Sequence, residues 1–148
     1  MKNQIYISRG TGKECIFYLP GFFPCTQARL KKFVNLMMED YENRDENINT
    51  CVDYLNNATG ALIDEIVKLS ELFASLKTEK ASLEERIKTK KHANGVTLKR
   101  EEIKEMKSTL KAINRTLKDL GEELNSCAVV KNKLEKNLET LKKLCDVD

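Results

Sequence analysis

The sequence predicts a mainly α protein with a small β-hairpin (α+β class). Its main feature is a long antiparallel coiled-coil helical hairpin projecting from a small N-terminal β-hairpin/helix head. Three observations carry that prediction. From Ala61 onward, 51 of 88 residues are Ala, Glu, Lys, Leu or Arg, a composition typical of long coiled helices. Apolar residues recur every 3.5 positions through most of that stretch. Both prolines (Pro20, Pro24) and six of the nine aromatic residues lie within the first 33 positions, so helix breakers and bulky core material are confined to the head.

Residues 4–8 (QIYIS) and 14–19 (ECIFYL) are rich in β-branched and aromatic side chains, and the glycine-containing RGTGK between them reads as a hairpin loop. Pro20-Gly21 is expected to end the second strand. Thr26 is a candidate N-cap, and Leu30, Phe33, Val34, Met37, Met38 and Tyr41 then share one helical face, predicting an amphipathic helix over 27–41. Two strands alone are marginal and need a helix to pack on. This head spans 1–45.

The helical hairpin spans 46–148. Ile48, Leu55, Leu62, Leu69, Leu76 and Leu83 lie seven apart, interleaved with Val52, Thr59, Ile66, Phe73, Lys80 and Ile87. The pattern resumes with Ile103, Leu110, Leu117, Leu124, Lys131, Leu138 and Cys145, interleaved with Met106, Ile113, Leu120, Cys127, Leu134 and Leu141. Of these 25 seam positions only Thr59, Lys80 and Lys131 are not apolar. A heptad sustained this long specifies coiled-coil packing. Between the runs, Gly95 is expected at a left-handed helix C-terminus and Thr97 as the next N-cap, giving helices of about 46–92 and 97–145. So short a link forces the helices antiparallel.

Toward the base of the hairpin the apolar stripe widens to include Cys51, Ala58, Ile63, Leu72, Ala128, Val130 and Leu144. A wider stripe wants a third partner. Helix 27–41, folded back through 42–47, is the expected one; a continuous helix from 27 to 92 is the alternative, with the spare flank then forming a homodimer seam. Gly60 and Gly121 lie inside the predicted helices among other small residues. They read as a close helix approach or as a hinge.

No run of 18 apolar residues exists and the start, MKNQIYIS, lacks the features of a secretory signal, so a cytoplasmic protein with no membrane partner is expected. Five cysteines (15, 25, 51, 127, 145) show no CxxC spacing and read as reduced thiols, with no metal site and no cofactor. GTGK at 10–13 fails the Walker A pattern, since Ile7 and Glu14 stand where a glycine and a Ser or Thr are required. His92, the one histidine, has no thiol beside it for a Cys–His pair. No catalytic residues are assigned and an enzyme is not expected.

Charge is the functional lead. Formal net charge is +3, but residues 1–38 carry six basic and one acidic side chain, 39–65 one basic and eight acidic, and 77–111 eleven basic and six acidic. Within 86–100 all six charged residues are basic: Arg86, Lys88, Lys90, Lys91, Lys99 and Arg100. These are the candidate binding residues. Lys2, Arg9, Lys13, Arg29, Lys31 and Lys32 of the head are candidate auxiliaries. The acidic block is expected to pair with Lys131, Lys133, Lys136, Lys142 and Lys143. The leading expectation is a non-enzymatic interaction protein whose basic tip meets an acidic partner, nucleic acid or nucleoprotein. Two other readings fit the same residues: a phage- or plasmid-type inhibitor (anti-CRISPR or anti-restriction-like) that blocks a larger nucleic-acid enzyme, and a homodimeric coiled-coil scaffold.

Overall fold

The computed structural model describes residues 3–8, 14–92 and 94–147. In chain order the elements are β1 (Gln4–Ser8), β2 (Glu14–Tyr18), α1 (Leu19–Phe22), α2 (Gln27–Glu39), α3 (Arg44–Thr89) and α4 (Arg100–Leu144). The protein is therefore mainly helical, with one two-stranded antiparallel hairpin and two long helices. The chain forms two compact units: Met1–Asp64 with Ala128–Asp148, and Glu65–Cys127.

In the first unit, β1 and β2 pair with Tyr6 opposite Ile16 and Ile7 opposite Cys15. Strand alternation turns Ile5 and Ile7 into the core and Tyr6 outward. The outer edge of β1 is satisfied by side chains, since Ser8 N–H donates to Asp40 Oδ2 (2.9 Å) and Asn47 Nδ2 donates to Tyr6 O (2.8 Å). The second strand stops at Tyr18 rather than 19, because Pro20 sits in the first turn of a short helix, where its missing N–H costs nothing. That turn delivers Leu19, Phe22 and Phe23 to the core. Phe22, Phe23 and Phe17 surround the Phe33 ring at centroid distances of 4.6, 6.1 and 5.0 Å. The RGTGK loop, with its GTGK segment, lies outside the described residues.

Thr26 caps α2 as expected, its Oγ1 accepting the Arg29 N–H at 3.2 Å. The helix ends at Glu39, two residues before the expected 41. There Asp40 stops it: the carboxylate accepts from Ser8 N–H and from the backbone and side-chain N–H groups of Asn43. These bonds stabilise a turn that a continuous helix could not make. The chain consequently folds back, and α2 does not run on into α3. Leu30, Phe33, Val34 and Met37 of α2 share one core with Ile48, Cys51 and Leu55 of α3, with Leu134 and Leu141 of α4, and with Cys145 just beyond it. Cys51 lies 3.9 Å from the Met37 sulfur, and burial pushes its thiol up to about 12.

Asn137 completes this core. Only 2% exposed, it accepts the Cys25 N–H through Oδ1 (2.9 Å) and donates to Cys25 O through Nδ2 (3.0 Å). One side-chain amide thus satisfies both backbone polar groups of a residue 112 positions away. The wide stripe is only partly covered. Cys51 is fully buried, while Ile63, Val130 and Leu144 remain exposed. No close approach exists at Gly60, where an added Cβ would meet nothing within 4 Å.

The second unit is built on the seam. Leu83, Ile113 and Leu117 form its buried centre, flanked by Phe73, Leu76, Met106 and Leu110. Across both units all 25 seam positions are buried or partly buried. Leu72, by contrast, is exposed. A Cβ on Gly121 would meet only Phe73, at 4.0 Å.

Two outcomes test these contacts. Asn137→Ala leaves the Cys25 N–H and C=O unpaired and should lower stability by about 2 kcal/mol, read as a lower urea midpoint with an unchanged m-value. The Asp40 carboxyl is held below its ordinary 3.8, chiefly by the Ser8 N–H and then by Asn43. A depressed folded value stabilises above the unfolded one and is lost as pH falls through the folded one. In thermal melts the advantage of the parent protein over Asp40→Asn should therefore be full near neutrality and shrink below about pH 4.

Candidate nucleic-acid interface: the basic turn

The second unit contains all six candidate binding residues. Arg86 and Lys88 stand on the last turn of α3, where cations favour the negative end of the helix. The helix terminates at Thr89 through a left-handed Lys90 (φ 57°), and Lys91 N–H donates to Arg86 O at 3.3 Å. This is a Schellman closure with lysine in the position usually held by glycine. Gly95 therefore does not cap α3. It lies further on, at φ 87°, in a tight turn where its N–H donates to His92 O (2.9 Å).

The link is longer than expected, since α3 ends at Thr89 and α4 starts at Arg100, and its described residues form a small antiparallel loop. Lys91 and Thr97 form an isolated β-bridge, His92 N–H donates to Val96 O (2.7 Å) and Leu98 N–H donates to Lys90 O (2.9 Å). Thr97 belongs to this bridge and does not cap α4, which starts at Arg100. Leu98 is the buried anchor of the loop, 6% exposed.

Glu102 ties the loop to α4. Its Oε1 accepts the Lys99 N–H (3.1 Å) and its Oε2 meets His92 Nε2 (2.8 Å). The first contact is half of a capping box, in which a carboxylate on the first helical turn satisfies an N–H ahead of it. The Lys99 N–H, followed by the charge and hydrogen bond of His92, holds the Glu102 carboxyl below its ordinary range. Sequence reasoning missed this residue; its signal was a glutamate three positions after Lys99, the residue just ahead of the true helix start.

The consequence for charge is specific. Glu102 is occupied with the loop, and none of the six cations takes part in an ion pair among the described residues. Lys88, Lys90, Lys91, Lys99 and Arg100 are exposed, whereas Arg86 is partly covered and its Nε is buried with no hydrogen-bond partner. The structure thus gathers all six on one ordered turn and the helix ends beside it. Lys2, Arg9 and Lys13 lie outside the described residues, and Arg29, Lys31 and Lys32 are exposed on α2 in the other unit. No helix among the described residues is long and apolar enough to cross a membrane.

The expected pairing of the acidic block differs. Lys131 pairs with Glu135 (2.7 Å) and Lys143 with Glu139 (3.1 Å), both within α4, at the four-residue spacing that makes side chains neighbours on one helix face. No ion pair joins residues 39–65 to these lysines among the described residues. Glu139–Lys143 is one of the pairs that spacing predicts.

No protein-family model matches the chain, and neither the curated proteins nor the solved structures compared with it give a match. What the turn does must therefore be read from its own chemistry.

Gly95→Ala tests whether the turn is as ordered as its hydrogen bonds imply. A side chain at φ 87° costs about 1 kcal/mol. Hydrogen exchange at the His92 and Leu98 amides should accelerate about fivefold, with the global urea midpoint little changed.

Proposed function

We propose that the protein is a non-enzymatic interaction protein, and that the basic turn binds an acidic partner, nucleic acid or nucleoprotein. Arg86, Lys88, Lys90, Lys91, Lys99 and Arg100 make the contact. The observation that supports this reading most is that none of the six cations takes part in an ion pair among the described residues, beside an acid already committed to holding the turn. A turn closed by backbone hydrogen bonds presents charges at little entropic cost on binding. Arg86, partly covered, adds a guanidinium, a group suited to a phosphate or carboxylate oxygen. No aromatic residue lies within 86–100, which favours backbone phosphates over stacked bases as the target.

Capture of the partner from the native host, with protein identification and nucleic-acid detection, comes first. Binding to a phosphate-bearing partner should weaken steeply with salt, with a log–log slope of about −5 if all six cations meet duplex phosphates. Replacing the six with Ala or Glu should abolish binding and flatten that slope. Unchanged affinity and slope in the sixfold variant would refute the proposal. Stoichiometric capture of one protein, with no affinity for free nucleic acid, would favour the inhibitor reading instead.

A further inference from the structure

A second basic site lies in the other unit. Pro24, Cys25, Thr26 and Gln27, ahead of and at the start of α2, face Lys133, Lys136 and Asn137 of α4 across a depression of about 430 Å³, with Arg29 on the same wall as Thr26. Its lining holds three cations, Arg29, Lys133 and Lys136, and no carboxylate. We infer that this depression is a phosphate-binding site, with Arg29 on one wall and Lys133 and Lys136 on the other.

The cations are brought together by the fold rather than by sequence. Arg29 belongs to α2 and the two lysines to α4, and the walls are joined by the paired hydrogen bonds between Asn137 and the Cys25 backbone (2.9 and 3.0 Å). Like charges converge only against their mutual repulsion, and the usual relief is missing. Glu135 and Glu139, the acids nearest along α4, are engaged by Lys131 and Lys143 instead. None of the three pocket cations has an ion pair among the described residues. Arg29 is further positioned by the ring of Phe22, 5.0 Å from its guanidinium carbon, which leaves the planar N–H fork available for a bidentate oxyanion. Lys133 and Lys136 stand three apart on one helical face and supply point charges opposite it. An anion seated between them removes the repulsion and gains three charge-assisted contacts.

The volume exceeds that of one phosphate, and the wall includes the apolar surface of Pro24. The shared chemistry is a phosphate group, and its source is either a free phosphate ion or a phosphate carried on a nucleotide. This inference does not depend on the role of the basic turn.

Amide chemical-shift titrations with inorganic phosphate, a nucleoside 5′-monophosphate and its unphosphorylated nucleoside distinguish these, each at constant ionic strength. Saturable shifts at Cys25, Arg29, Lys133 and Lys136 are expected for a phosphorylated probe and not for the unphosphorylated one. Binding should weaken at least tenfold in Lys133→Glu/Lys136→Glu and in Arg29→Gln, with folding checked by circular dichroism. The sixfold turn variant should bind as the parent does, which separates failure here from failure of the proposed function. Inorganic phosphate binding as tightly as the nucleoside monophosphate assigns the site to the free ion; tighter binding of the nucleoside monophosphate assigns it to a nucleotide phosphate. The inference is overturned if chloride at equal ionic strength gives the same shifts, or if both pocket variants titrate like the parent.

Discussion

Asn137 and Cys25 exchange two hydrogen bonds across 112 residues of sequence, and the head depends on that exchange. Cys25 lies between the aromatic turn and α2, where its backbone has no strand or helix partner. The amide of Asn137 supplies both a donor and an acceptor to it. Around this bond Leu134, Leu141 and Cys145 reach the same core as Phe33 and Met37. A two-stranded sheet and a helix of 13 residues would be marginal without those side chains. Asp40 performs the matching task at the other end of α2, fixing its reversal and the β1 edge together.

The basic turn is ordered by different means. Its backbone closes on itself, and one carboxylate holds the loop and the first turn of α4. Net charge had obscured this, because a formal +3 is the remainder of large opposed blocks. What matters for recognition is where charges lack partners, and the lysines of the protein divide on that criterion. Lys131 and Lys143 are spent within their own helix, while Lys133, Lys136 and the six residues of the turn are not.

Periodic features were legible from sequence, and so were the local ones with strong chemical preferences. The seam could be read position by position because a heptad leaves no freedom about which residues face inward. Thr26 could be read because an N-cap hydroxyl bonds within three residues. The turn was harder. Glycine preference placed the left-handed helix end at Gly95, yet Lys90 takes that conformation because Lys91 can then bond to Arg86 O. Thr97 resembled a cap but is held in a bridge, and the helix begins where Glu102 can reach back. The six cations were visible by count, whereas their lack of partners was not. The grouping of Arg29 with Lys133 and Lys136 was invisible, since nothing local links α2 to α4. Stripe width misled in part: Cys51 gained a cover, while Ile63 and Val130 did not.

The order in which the head can be assembled follows from its composition. Its core draws on residues 5–55 and again on 134–145, so a nascent chain cannot close it until the later segment has left the ribosome. Until then Ile5, Phe33, Met37 and Leu55 lack a full set of neighbours.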